Sequence, residues 1–237
     1  RQSSARTELE IVGQLPNSRR PEEIGKPNES LFGVRFLADR AFAATFRRID
    51  PLYAFDLTDP TDPRIAGSLE LPGFSDLLHS VSASLLLGIG QADNGGVRVA
   101  LFDVSRLDQP REVGGYTYGA AGTYSEARHD RHAFAYLADV NGVDHFAVPV
   151  NLYSSDGQYR FISSSLQLFE VRNKTQPAST LLIEAGRVVA RTTTSQVPAY
   201  PVARARAFLH PTSVFFVADD EVLGASWAQP ALVNGPY

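Results

Sequence analysis

The chain has 237 residues, 43% of them apolar, enough to bury one large core or two small ones and unlike a disordered segment. Its formal charge of −4 is spread over intermixed acids and bases, which gives no basic footprint for nucleic acid and no polybasic stretch for an anionic membrane. There is no cysteine, so disulfides, thiolate metal sites and cysteine nucleophiles are excluded, and no stretch nears the roughly 20 apolar residues of a bilayer-spanning helix.

The polar opening RQSSARTELE lacks the pattern of a signal peptide, and a start at Arg1 with no methionine reads as a mature or excised piece. LEIVGQLP from Leu9 resembles the last strand of a sheet unit, as IAGSLELP from Ile65 does, but no strands precede it. VRF and AFAATF then form a strand pair around Ala38-Asp39-Arg40, and the phrase FDLTDPTDPRIAG runs from Phe55 through a proline-bearing turn. LLHSV and LLLGIG pair around Ser82-Ala83-Ser84, followed by FDVSRLDQPREVG from Phe102. AFAYL and HFAVPV pair across Asn141-Gly142, the dipeptide of tight hairpins, and FEVRNKTQPAST begins at Phe169. Between them NLYSSDGQYRFIS has a polar middle at Asp156-Gly157 and reads as a surface excursion. ARAFLHPTSVFFVADDEVLGASW from Ala205 supplies two or three strands of a last unit.

Spacing turns these phrases into a repeat. Phe55 and Phe102 are 47 positions apart, as are Pro63 and Pro110; Phe102 and Phe169 are 67 apart, as are Pro110 and Pro177. Periods of about 40 to 50 residues with several short strands each belong to β-propellers, in which a small antiparallel sheet buries its faces only against its neighbours. The expected fold is therefore all-β, a β-propeller of four-stranded antiparallel blades, with approximate units 31–73, 75–119, 122–186 and 200–228 plus an N-terminal strand 8–15. Either that strand closes a four-bladed ring by completing the last unit, or the chain is an arc of a larger propeller. Phe42, Phe55, Phe102, Phe134, Phe169 and Phe215 fall at repeat-equivalent strand positions and are expected in the core between blades; Tyr116, Tyr118 and Tyr124 lie near loops and are candidates for a binding face.

Five phrases, VRFLADRAFAATFRRIDPLYAFDLTDPTDP from Val34, LELPGFSDLLH from Leu69, LLLGIGQADNGG from Leu85, YSEARHDRHAF from Tyr124 and the ASW that ends at Trp227, give the chain a resemblance to bacterial secreted proteins with a C-terminal β-propeller domain distantly related to WD-type repeats. It covers roughly residues 9–228. The resemblance implies an exported protein (periplasmic, secreted or membrane-tethered through a segment absent here), favours the arc over the closed ring, and assigns no reaction. His79-Ser80 departs from it, standing where a histidine-proline pair is expected.

Arg47, Arg48 and Asp50 sit at a blade turn, where guanidinium groups could receive an anionic or polar ligand. Glu126-Ala127-Arg128-His129-Asp130-Arg131-His132 is the densest cluster of functional side chains, and Asp130-Arg131 is read as a turn aligned with Asp39-Arg40. Strand alternation would send His129 and His132 to opposite faces, so hydrogen bonding within a turn is preferred to metal ligation. Asp56, Asp59 and Asp62 read as turn aspartates rather than a calcium loop, no serine has a glycine-flanked elbow, and no glycine run forms a phosphate cradle. No metal or cofactor is expected. The residues taken as binding candidates are Arg47, Asp50, His79, Glu126, His129 and Asp130, for a protein, peptide or glycan ligand on a non-catalytic exported binding or scaffold propeller. The alternative is a hydrolase or lyase with an acid, histidine and arginine site in the central channel, built from Glu126, His129 and Asp130. The sequence leaves oligomeric state open.

Overall fold

A computed structural model describes residues 10–25, 30–46, 50–194 and 196–237. Among them are four sheets, each made of four consecutive antiparallel strands. The first contains β1 (Ser30–Leu37), β2 (Arg40–Phe46), β3 (Asp50–Asp56) and β4 (Arg64–Leu71); the second β5 (Phe74–Ser80), β6 (Leu85–Gln91), β7 (Val97–Asp103) and β8 (Arg111–Tyr118). The third contains β9 (Ala135–Val140), β10 (Val143–Tyr153), β11 (Phe161–Arg172) and β12 (Leu181–Thr192), and the fourth β13 (Ala205–Leu209), β14 (Ser213–Ala218), β15 (Glu221–Ser226) and β16 (Gln229–Asn234).

The sheets stack face to face, and strand alternation decides which side chain meets which neighbour. Leu86, Ala100 and Phe102 of the second blade pack on Phe42, Leu52 and Ala54 of the first. The residues between them in sequence, Leu85, Leu87, Val99 and Leu101, turn the other way onto Phe146, Val148 and Phe169 of the third blade. Ala147, Leu166 and Leu168 on that blade's far face meet Val214, Phe216 and Leu223 of the fourth. A middle strand buried on both sides must be apolar at every position, which is why β6 reads LLLGIG without alternation. Each buried Leu or Phe stabilises by roughly 1.5–3 kcal/mol.

Local chemistry sets the hairpins. Asn141 and Gly142 both have positive φ, 52° and 80°, the geometry of a type I′ turn. Asp56 accepts a hydrogen bond from the Thr58 N–H and pairs with Arg64, and Asp103 does the same with the Ser105 N–H and Arg111. This aspartate and the arginine eight positions on are the recurring brace behind the repeated phrase. In the third blade Glu170 stands in the aspartate's place and pairs with Arg172 instead. Asp59 bonds the Thr61 N–H and Asp62 pairs with Arg20, so these carboxylates serve turns. The third repeat is longer in two places: the link 119–134 from β8 to β9, against 72–73 from β4 to β5, and the hairpin in which β10 and β11 have 11 and 12 residues and carry the loop 154–160.

Two expectations are corrected. Of the expected strand 8–15, residues 8 and 9 lie outside the described residues and 10–15 form no strand; the fourth sheet takes its fourth strand from Gln229–Asn234. Leu15 and Ile24 lie instead against Ala41 and Phe55 of the first blade. Phe215 is 42% exposed; Phe216, on the opposite face of β14, is the buried one.

Candidate functional site

Between the second and third blades the chain makes two short 3-10 turns, Glu126–Arg128 and Arg131–Ala133. Asp130 starts the second by accepting the His132 N–H at 2.9 Å, the usual role of an aspartate at a helix start. It therefore precedes the first strand of its blade, and does not sit in a hairpin like Asp39-Arg40. Glu126 reaches the fourth blade: Oε2 accepts the Ala205 N–H at 2.5 Å and Oε1 accepts from Arg206 at 2.8 Å. Arg206 also donates to Asp130 at 2.5 Å. In the other direction Arg128 donates to Asp76 of β5 at 2.5 Å and lies 5.4 Å from the centre of the Phe74 ring. One seven-residue segment thus ties three blades together. The His132 N–H and side chain, followed by Arg206, hold the Asp130 carboxyl below its ordinary range.

A second polar knot lies in the third blade. Asp144, its side chain fully buried, accepts from Tyr136 Oη at 2.5 Å, from the Asp139 N–H at 2.7 Å and from Lys174 at 2.7 Å. Burial alone would raise its pKa, but these three bonds outweigh it and hold the carboxyl low. His79 of β5 is half-buried, its ring 5.1 Å from Phe134 and 4.4 Å from Tyr136; burial and then the Arg35 charge lower its pKa, so it packs as a neutral ring.

His129 is exposed and stacks on exposed Tyr124 at 5.9 Å and 17°. The Tyr159 ring, more than half exposed, lies beside Gly122, two residues from Tyr124: a Cβ on that glycine would come 2.9 Å from it. Tyr116 and Tyr118 point into the interface between second and third blades instead, bonding the Leu182 carbonyl and Glu184. The structure thus joins Glu126 and Asp130 through Arg206, sets His129 beside them facing solvent, and places His79 in an aromatic interface. Arg47 lies outside the described residues; Asp50 opens β3 opposite Leu71. Arg206, 80 positions from Glu126, gave no sequence signal, whereas Arg128 lay inside the predicted cluster without an identifiable partner. Among the described residues no three His, Asp or Glu side chains gather as metal ligands, and no helix is long and apolar enough to cross a membrane.

Four-stranded antiparallel sheets stacked in chain order define a β-propeller. The chain belongs to the family described as Beta propeller domain, whose sequence model matches residues 6–229. It is similar to an uncharacterized protein of Methanocaldococcus jannaschii, 36% identical over 128 residues, or 54% of this chain and 19% of that protein. An uncharacterized protein of Archaeoglobus fulgidus is 37% identical over 126 residues, 53% of this chain and 19% of that protein. The matched segments thus span about a fifth of the length of these archaeal relatives.

Proposed function

We propose that the chain is a non-catalytic binding or scaffold propeller that works outside the cytoplasm and holds a protein, peptide or glycan on the loops around Tyr124, His129 and Tyr159. The observation that carries this reading is the fate of the acids in the cluster. Both oxygens of Glu126 and those of Asp130 are occupied by Ala205, Arg206 and His132, which argues against an acid/base pair poised toward a substrate. What faces solvent is a tyrosine stacked on an imidazole, a flat apolar surface with a polar rim of the kind that takes a sugar ring or a peptide side chain. The exported location rests on the resemblance in the sequence.

The test is to probe a printed glycan array and a displayed peptide library with the purified chain, then with a Tyr124→Ala/His129→Ala variant of unchanged Tm. The variant should lose the ligands that the parent selects. Equal binding by both proteins, or no ligand for the parent, sinks the proposal. Fractionation of cells making the complete protein should find it outside the cytoplasm.

A further inference from the structure

The repeat fixes which face of a blade meets which neighbour. Phe102 and Phe169 hold equivalent positions, and each packs on the blade before its own. Phe55 is their equivalent in the first blade, so its face is of the kind that receives a preceding blade. On that face Phe36 pairs with Ala41, Val34 with Ala43 and Ala41 with Phe55. Residues 10–25 cover only part of it, leaving an apolar groove of about 320 Å³ beside Phe36, which is 70% exposed. At the other end Phe216 looks back onto the third blade, so the Phe215 face is of the kind that receives a following blade. There Phe215 pairs with Phe208, 64% exposed, on one side and with Gly224 on the other. Apolar faces of this sort on a soluble protein mark interaction surfaces, and the same faces of the intervening blades are all buried against a neighbour.

We infer that both open faces are docking surfaces for further four-stranded antiparallel blades of the same polypeptide, so that the complete propeller has more than four. Two observations support a blade as the occupant. The open faces continue the apolar pattern of the three blade interfaces, and four fifths of the length of the archaeal relatives lies outside the matched segment, ample for additional sheets.

Phe215→Ser tests this in two proteins, the 237-residue chain and the product of the complete reading frame. In the chain alone Phe215 is 42% exposed and only its own sheet covers the rest, so Phe215→Ser should lower Tm much less than Phe216→Ser does. In the complete protein the substitution should lower Tm by roughly 5 °C or more, as for a buried phenylalanine. Phe216→Ser, on the buried face, should lower both and serves as the control. A small shift from Phe215→Ser in both proteins, or a reading frame with no further blade, overturns the inference. Light scattering should find the 237-residue chain monomeric; a dimer dispersed by Phe215→Ser would make a second copy the occupant and overturn it equally.

Discussion

Arg128 and Asp76 meet with only 10% and 7% of their side-chain surfaces exposed, so neither charge can fall back on water if its partner is removed. Arg128→Ala should therefore destabilise by about 3–5 kcal/mol, read as a fall in Tm on the order of 10 °C. Arg106 and Asp108 form an ion pair of similar length with both side chains more than half exposed. There water and salt screen the pair, so Arg106→Ala should leave Tm almost unchanged, and a comparable loss at both positions would refute the role given to burial. The sequence displayed Glu126, Asp130 and Arg128 as a cluster because they are adjacent. It could not display their function, since Asp76 and Arg206 come from other blades, and contacts 52 and 80 positions long leave no trace in local spacing.

At the scale of strands and turns, blade stability is tied to protonation. Burial would by itself raise the pKa of Asp103, Asp144 and Asp219, yet the N–H, Arg and Lys donors they hold depress it. Their stabilisation is present above the ordinary carboxylate value and is lost as pH falls through the lower folded values. Burial lowers the pKa of His79 and also of His145, whose ring lies 4.4 Å from Trp227 at the third blade's interface with the fourth. The unfolded chain takes up those protons first, so stability begins to fall below about pH 6.5. Urea midpoints measured near pH 7.5, 5.5 and 3.5 should decrease in that order; a midpoint highest near pH 5.5 would contradict the assignment. Strands and hairpins were the most legible part of the sequence, since Asn141-Gly142 and the Asp–Pro turns state their own geometry. Phe215 against Phe216 was not legible, because adjacent residues of a strand take opposite faces and both are phenylalanine. LEIVGQLP has the pattern of a strand, but QPALVN, with a proline and few large apolar residues, holds the edge it was expected to fill.

For the molecule as a whole, the repeat spacing was enough to predict stacked blades, because 47 residues is what four short strands and their turns require. The additional residues of the third unit were legible as an insertion, but their main place was not: most of them lie in the link from β8 to β9, residues 119–134, where β4 and β5 are joined by residues 72–73 alone, and a smaller share lengthens the hairpin of β10 and β11. Its loop 154–160 is largely exposed, while the strands beneath it are held by paired backbone bonds. Limited proteolysis with a protease that cuts after arginine should nick first at Arg160 and leave the two fragments associated; early cuts within β6 or β7 would show that the stack is looser than described. Every sheet here is assembled from one uninterrupted stretch of chain. No strand has to wait for a partner synthesised much later, which keeps contact order low for an all-β protein. A chain emerging from the ribosome can complete each sheet in turn, with the newest blade covering the apolar face that the previous one left open to aggregation.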